Sequence, residues 1–254
     1  MTEAILRVAN VNKTFGSLRA SNNVSIEVQP GEFRAIIGPN GAGKSTFFNL
    51  ISGFLKPDSG HIFMSGKDIT GREPYQLFHS GLSRTFQITS IFAELGVLEN
   101  MQIALLSYRR RLFDGFRRSR HMDVPECRRL LDLVGLHVDY DRRAGTLSHG
   151  DQKKLELAVA LAGEPSLLLL DEPTAGMAAN ERIDSIKTVH RIAKQLGLTV
   201  VFTEHDMQVV FSVADRISVL HHGAIIADDT PEAIRQSPMV QQIYLGESLD
   251  GPGT

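Results

Sequence analysis

The clearest candidate for chemistry is the nine-residue stretch GPNGAGKST, which runs from Gly38 to Thr46. It matches the pattern G-x-x-x-x-G-K-[ST] in full and lies between an apolar run, Phe33 to Ile37, and a predicted helix that begins near Lys44. Its glycines permit a backbone path that points several N–H groups into one concavity, and the helix start adds the positive end of its dipole. The stretch therefore predicts a site for the phosphates of a nucleoside triphosphate.

Side chains within this loop have predicted roles of their own. Lys44 is placed to reach the β- and γ-phosphates, Ser45 to ligate Mg²⁺, and Thr46 to contact phosphate nearby. The remaining predicted ATP contacts come from Gly38, Pro39, Asn40, Gly41, Ala42 and Gly43. ATP and Mg²⁺ are thus the expected cofactors.

Two acids follow a run of four leucines in the stretch LLLLDEP. A buried strand that ends in a carboxylate points it at the carboxyl edge of the sheet, where nucleotide sites of this kind lie. We expect Asp171 to hold the Mg²⁺ shell. Glu172 faces differently because it comes one residue later, and it is the candidate general base that polarises the attacking water.

The stretch LSHGDQ admits two interpretations that are compatible with each other. Ser148 is a good helix N-cap, and Ser148-x-x-Asp151 fits a capping box. An N-capped helix with Gly150 in its first turn is also an anion site. The stretch therefore predicts a capped helix start that can contact phosphate.

The apolar patterns predict an α/β chain. Strands are expected at residues 5–11, 24–28, 33–37 and 61–64, at LLLLD, TVVFT and RISVL, and as a pair in HHGAIIADD; a helix is expected over Ala179–Leu196. Alternating apolar strands and helices indicate a parallel sheet covered on both faces. We predict one domain over residues 1–247, a helical subdomain inserted at about 93–161, and a flexible tail at 248–254.

Bulk composition excludes several classes of protein. The net charge of −2 supplies no global attraction to nucleic acid, and the single cysteine, Cys127, rules out an internal disulfide. No run approaches the roughly 20 apolar residues of a spanning helix, and the start of the chain lacks the apolar core of a signal peptide. Any membrane role is therefore expected to be peripheral.

Five motifs recur here in a fixed order: GPNGAGKST, RTFQ with Gln87, LSHGDQ, LLLLDEP and TEHD with His205. In this order, over nearly the whole chain, the sequence resembles the ATP-binding subunits of ABC transporters. The resemblance implies a P-loop NTPase fold with a mainly parallel sheet core, an N-terminal antiparallel β region and an inserted helical subdomain. It also implies that the chain is an ATPase coupled to transport.

Such subunits work as head-to-tail pairs, with each ATP held between one phosphate loop and the partner's signature. By this resemblance Ser148, His149 and Gly150 contact the ATP held by the partner.

The resemblance also implies roles within the chain's own site. Gln87 ligates Mg²⁺, senses the attacking water and links the site to the membrane subunits. His205 contacts the γ-phosphate and orients Glu172, and Phe15 stacks on adenine.

The sequence departs from the family pattern at three positions. His149 replaces the first glycine of the signature, Asp151 replaces its glutamine, and Ala178 stands where the loop after Glu172 usually has an aspartate. Asp151 is expected to weaken phosphate binding unless its side chain turns into the helix cap. A weakly hydrolysing regulatory partner subunit therefore remains an alternative.

Longer stretches indicate which branch of the family the sequence resembles. SRTFQITSIFAELGVLENMQIAL, EPTAGM, TEHDM and the ending YLGE resemble the branched-chain amino acid uptake branch, which includes importers of urea and short amides. The implied partners are membrane permease subunits, a paralogous ATP-binding subunit or a second copy, and, indirectly, an extracytoplasmic solute-binding protein. The implied place is the cytoplasmic face of the plasma membrane, where residues 88–101 would dock a helix of the permease. An exporter of the lipopolysaccharide type is the other branch considered.

The middle of the chain carries a basic cluster, and the motifs of the chain exclude two other classes of nucleotide-binding protein. Six arginines at positions 109, 110, 111, 117, 118 and 120 form a basic cluster that is interpreted either as a solvated surface or as a contact with anionic lipid or the permease. A GTPase switch is excluded because no N-K-x-D motif follows the phosphate loop, and a DNA-repair or ribosomal ATPase because the chain has no heptad run and a single phosphate loop.

Overall fold

A computed structural model describes residues 3–85, 91–109 and 123–249, with the backbone alone at residues 179, 180 and 244–249. Two sheets and nine α-helices are assigned within these ranges. No helix in the described part of the chain is long and apolar enough to cross a membrane.

The N-terminal sheet is antiparallel, with strand order β2-β1-β4-β5. Its strands are β1 Leu6–Phe15, β2 Leu18–Val28, β4 Ser59–Met64 and β5 Lys67–Asp68. β1 and β2 are longer than the predicted 5–11 and 24–28. Asn10 and Asn23 have positive φ, and the pairing register shifts along β1, so the alternation of apolar residues is interrupted there while the pairing continues.

The core sheet has the order β10-β9-β3-β8-β7-β6, with β9 and β10 antiparallel and the other neighbours parallel. Its strands are β3 Phe33–Ile37, β6 Leu82–Thr85, β7 Leu167–Asp171, β8 Thr199–Thr203, β9 Arg216–His221 and β10 Ala224–Asp229. The predicted mainly parallel core is confirmed. The carboxyl ends of the parallel strands meet at one edge, and the candidate site lies there.

In the described part of the chain, nine helices flank and connect the strands. They are α1 Lys44–Ile51, α2 Pro74–Phe78, α3 Val97–Tyr108, α4 Val124–Leu133, α5 His149–Leu161, α6 Ala179–Leu196, α7 Met207–Val213, α8 Pro231–Gln236 and α9 Pro238–Leu249. Helices α3, α4 and α5 lie between β6 and β7 in the chain, within the range predicted for a helical insertion. The limits of that subdomain, and of the predicted tail, stay predictions.

The core sheet separates two hydrophobic clusters. Along β7, Leu168 and Leu170 belong to the cluster that contains the helical region, whereas Leu167 and Leu169 belong to the cluster shared with the antiparallel sheet. Because both faces of β7 are covered, the strand reads as an uninterrupted apolar run.

A buried charged network ties the start of β3 to the hairpin of β9 and β10. Arg34 Nε lies 2.5 Å from Glu32 Oε1, and their side chains are 2% and 6% exposed. Arg34 Nη1 donates to Asp228 Oδ1 at 3.0 Å and to Ser218 Oγ at 3.1 Å. A buried guanidinium needs such compensation, and here it fixes the strand that leads directly into the phosphate loop.

Candidate functional site

The phosphate loop connects β3 to α1 and passes between two other backbone segments. At Gly43, with φ 105°, a Cβ would lie 2.4 Å from the carbonyl oxygen of Ala20 in β2. At Gly38 it would lie 2.1 Å from the carbonyl oxygen of Leu220 in β9. These glycines are therefore required by close approach as well as by conformation.

Lys44 begins α1, and its side chain folds back over the loop. Its Nζ donates to the carbonyl oxygens of Gly38, at 2.5 Å, and of Pro39, at 2.9 Å. Lys44 is buried, whereas Ser45 is exposed at the start of the helix. The loop thus presents a helix N-terminus and an ammonium group on one side, which suits a polyphosphate.

Asp171 ends β7, and hydrogen bonds reach both of its carboxylate oxygens. The hydroxyl of Thr203, the last residue of β8, donates to Oδ1 at 2.8 Å. Arg84 Nη2 donates to Oδ2 at 2.9 Å. The carboxylate is therefore held in a fixed orientation at the edge of the sheet.

Arg84 is a site residue for which the motifs predicted no role, although it belongs to the stretch SRTFQ that ends at Gln87. Its Nη1 donates to Asn49 Oδ1 and Ser52 Oγ of α1, both at 2.7 Å. Burial lowers the pKa of the Arg84 guanidinium, and the hydrogen bond and charge of Asp171 oppose that shift. The sequence signal that could have revealed it is an arginine in an otherwise buried strand, because a buried charge requires a partner of opposite charge.

Glu172 follows Asp171 with a left-handed backbone, φ 49°, which is uncommon for a residue other than glycine. Its N–H donates to the Thr203 carbonyl oxygen at 3.2 Å and contacts the Thr203 hydroxyl at 3.1 Å. Its Oε1 lies 2.5 Å from Nε2 of His205. The turn directs Glu172 away from Asp171 and places it against the histidine with which the sequence analysis paired it.

The segment from Pro173 to Ala178 is held from two elements. The N–H and hydroxyl of Thr174 donate to Glu204 Oε1 at 2.9 and 2.6 Å, and Glu204 is only 5% exposed. Arg182 Nε in α6 donates to the Met177 carbonyl oxygen at 3.0 Å. Ala178 is the N-cap of α6 and provides no side-chain cap.

The LSHGDQ stretch begins α5, and its cap is present. Ser148 Oγ accepts from the N–H of Asp151 at 3.2 Å and donates to Asp151 Oδ2 at 3.0 Å. Lys154 Nζ donates to Asp151 Oδ1 at 3.0 Å. Burial raises the pKa of Asp151, but hydrogen bonds from Lys154 and Ser148 outweigh it, and the net shift is downward. Asp151 is thus turned into the cap and its charge is partly compensated.

His149 joins the start of α5 to the segment that follows Glu172. Its Nε2 lies 2.9 Å from the carbonyl oxygen of Ala175. A carbonyl oxygen only accepts, so Nε2 carries the proton. The ring also lies against Gly176, where a Cβ would lie 2.8 Å from Nε2.

The other predicted site residues have separate outcomes. Phe15, at the end of β1, is 45% exposed, so its ring is accessible, and Lys13 Nζ lies 5.7 Å from the ring centre. Gln87 lies outside the described residues, as do residues 88–90 of the predicted docking segment and all but the first arginine of the basic cluster.

The donor set is compatible with Mg²⁺. No group of three or more His, Cys, Asp or Glu side chains in residues 3–85, 91–109 and 123–249 forms a metal cage. Magnesium is typically bound by one or two carboxylates together with phosphate oxygens and waters, and Asp171 with the Ser45 hydroxyl suits that role.

The comparisons with known proteins agree with this geometry. Residues 21–175 match the family model described as ABC transporter. The chain is 36% identical to the high-affinity branched-chain amino acid transport ATP-binding protein LivG of Escherichia coli K12, over 98% of this chain and 100% of the relative. The chain belongs to the ABC transporter ATP-binding family, whose members are ATPases coupled to transport.

Solved structures give the same result. MJ1267, described as an ATP-binding cassette of an ABC transporter, superposes with a TM-score of 0.86 at 37% identity, over 96% of this chain and 99% of that one. The cassette MJ0796, described as a dimer in a post-hydrolysis state bound to ADP and Pi, gives a TM-score of 0.74 at 25% identity, over 89% and 98%. The predicted fold class is confirmed.

Proposed function

We propose that this chain binds Mg-ATP on its phosphate loop, closes with a second ATP-binding subunit, and hydrolyses ATP with Glu172 as general base. In this proposal it energises uptake of branched-chain amino acids, or of related small solutes such as urea and amides, through permease subunits. The observation that carries the hydrolytic role is the 2.5 Å contact between Glu172 Oε1 and His205 Nε2. It supports a carboxylate oriented for proton abstraction at the carboxyl edge of the sheet.

The residues divide the chemistry between them. Lys44 and the loop amides hold the β- and γ-phosphates, Phe15 stacks on adenine, and Mg²⁺ supplies charge neutralisation when it is bound beside Ser45, Asp171 and Gln87. Water attacks the γ-phosphorus and passes a proton to Glu172, while the bond to the β,γ-bridging oxygen breaks. ADP and phosphate are the products. His205 holds Glu172 in position, and Ser148, His149 and Gly150 of one subunit act at the ATP of the other.

The relatives support the proposed partner subunits. The printed name of LivG assigns branched-chain amino acid transport to that protein, and the dimeric cassette shows that a related chain pairs. These names support a role for this chain as a peripheral subunit on the cytoplasmic face of the plasma membrane, with permeases and a paralogous or identical ATP-binding subunit. An external solute-binding protein would act only indirectly.

A groove beside α3 supports permease docking. It is lined by Phe78, Phe92, Ile103, Ala104 and Val159, and Phe92 is 55% exposed. Asn100 clamps the backbone of Phe92, since Oδ1 accepts from its N–H at 2.8 Å and Nδ2 donates to its carbonyl oxygen at 3.1 Å. A largely apolar groove that includes Phe92 of the predicted docking segment suits the apolar face of a short permease helix.

The experiment is the mass of purified Glu172→Gln protein with Mg-ATP, measured by light scattering. Loss of the general base should trap a closed pair that needs ATP and disappears when Ser148→Arg is added. Glu232→Gln, at an exposed acid in the first turn of α8, is the matched control and should stay monomeric. A Glu172→Gln protein that binds ATP but stays monomeric, alone and with its paralogue, would contradict the composite site.

The solute is tested with the assembled transporter in proteoliposomes. Uptake of labelled leucine above that of urea and acetamide is expected, and it should vanish with Glu172→Gln. Outward transport of lipid instead would support the exporter alternative, and ATP binding with negligible turnover would support the regulatory one.

A further inference from the structure

Arg84 lies where three elements of the candidate site meet. Its strand, β6, pairs with β7, its Nη1 bonds to two side chains of α1, and its Nη2 bonds to Asp171 at 2.9 Å. The side chains of Arg84 and Asp171 are only 7% and 10% exposed. The guanidinium of Arg84 is thus fixed beside the Asp171 carboxylate, which is expected to bind the metal.

The ion pair with Arg84 compensates the buried charge of Asp171. A buried carboxylate is costly unless it is paired and hydrogen-bonded, and Asp171 has the Thr203 hydroxyl on Oδ1 and Arg84 on Oδ2. Arg84 is itself held in place by Asn49 and Ser52, so it does not depend on Asp171 alone for its position. A divalent ion that approaches Oδ2 meets a fixed positive charge.

We propose that Arg84 is the counter-ion that prevents Asp171 from recruiting a divalent cation before nucleotide is bound. Repulsion between the guanidinium and the ion opposes binding of the metal alone. The negative charges of a bound triphosphate reverse that balance, so the metal enters together with the nucleotide. Arg84 is therefore a positioning residue that makes metal binding conditional on nucleotide. The inference rests on the proposed Mg-ATP function.

The test is a titration of the purified chain with Mn²⁺, in which free Mn²⁺ is measured by electron paramagnetic resonance. Without nucleotide, the unaltered protein should bind Mn²⁺ weakly, and Arg84→Gln should bind it roughly tenfold more tightly because one close positive charge is removed. Arg84→Gln, Asp171→Asn should lose that gain. The matched control is Arg129→Gln, which removes an arginine paired with Glu126 at an exposed position and should leave the titration unchanged.

Equal nucleotide-free titrations for Arg84→Gln and Arg129→Gln would overturn the inference, as would tight Mn²⁺ binding by the unaltered protein. If circular dichroism shows that Arg84→Gln is unfolded, Arg84→Met, which retains most of the side-chain volume, replaces it. The same gain in Mn²⁺ affinity is expected. The unaltered protein is also titrated with fluorescent ATP. Failure to bind ATP would contradict the proposed function itself, whereas normal ATP binding with no Arg84 effect would contradict only the role of Arg84.

Discussion

His149 Nε2 donates to the carbonyl oxygen of Ala175 at 2.9 Å, and this bond connects the start of α5 to the loop that follows β7. Glu172 precedes Ala175 in the same turn, since the Ala175 N–H donates to the Glu172 carbonyl oxygen at 3.0 Å. These two bonds thus connect Glu172 to the helix start that is proposed to act at the partner's ATP. His149, which replaces the first glycine of the family signature, therefore joins two segments of the same chain.

Replacement of this histidine should weaken coupling between paired subunits more than it weakens folding. His149→Phe keeps the ring but removes the donor, whose net contribution is about 1 kcal/mol. We expect ATP-dependent pairing in the Glu172→Gln background to weaken roughly fivefold, in proportion to that energy. Sedimentation against ATP concentration measures it. His137→Phe, at an exposed position, is the control, and equal pairing of the two variants would refute the coupling.

Ala178 offers a stabilising substitution. It is the N-cap of α6, its φ and ψ of −65° and 152° suit a capping residue, and it makes no side-chain cap. Ala178→Asp should accept hydrogen bonds from the first turn and stabilise the chain by about 0.5–2 kcal/mol. Urea denaturation at neutral pH measures the change. Ala178→Leu, which cannot cap, should show no gain, and a similar gain in both variants would mean that capping is not the cause.

The buried pair of Arg34 and Glu32 should be costly to break. Arg34→Met leaves the Glu32 carboxylate buried without its counter-charge, and such losses cost about 3–5 kcal/mol. Lys194→Met breaks an ion pair with Asp215 whose side chains are 45% and 41% exposed, and it should cost less than about 1 kcal/mol. Denaturant midpoints of the two variants provide the comparison. Comparable losses would show that burial does not set the cost.

His190 should make stability depend on pH. Burial, followed by the charge of Lys194, lowers the pKa of His190 below its ordinary value of 6.5, against an opposing effect of Asp215. The unfolded chain therefore binds the proton more readily, and stability falls as pH drops from above 6.5 through the folded pKa.

The variant that tests this is His190→Phe, which removes the titrating group but keeps a ring against Phe33. In the unaltered protein the two ring centres are 5.1 Å apart in an edge-to-face arrangement. Unfolding free energies measured between neutral and mildly acidic pH should fall less steeply for this variant than for the unaltered protein. Parallel curves would assign the acid sensitivity to other groups.

Local patterns predicted the elements whose environment is simple. The strand LLLLD, the helix Ala179–Leu196 and the strand TVVFT all have their predicted bounds, because both faces of the strands are covered and the helix has a clear apolar stripe. The strand β6 was not predicted, since LSRT carries polar residues at three of its four positions. Its burial depends on the contacts of Arg84 with Asp171 and α1. These are tertiary contacts between segments far apart in the sequence, so no local pattern predicts them.

The site shows the same division. The phosphate loop, Asp171, Glu172 and His205 were proposed from motifs, and the structure brings the last two into contact. The turn of Asp151 into the helix cap was anticipated as a condition, whereas its ion pair with Lys154, on the next turn of the same helix, was not predicted. The bond from His149 to Ala175 joins segments far apart in the chain, and no local pattern encodes it.

The backbone around the phosphate loop forms a joint between the two sheets. The Asn22 N–H of β2 donates to the Gly223 carbonyl oxygen at 2.7 Å, and the Gly223 N–H donates to the Ala42 carbonyl oxygen at 2.9 Å. Ala42 belongs to the loop, so the antiparallel sheet, the β9–β10 turn and the loop form one hydrogen-bonded chain. A rotation of the antiparallel sheet, which carries Phe15, against the core would strain these hydrogen bonds. The position of the phosphate loop is therefore tied to the relative position of the two sheets.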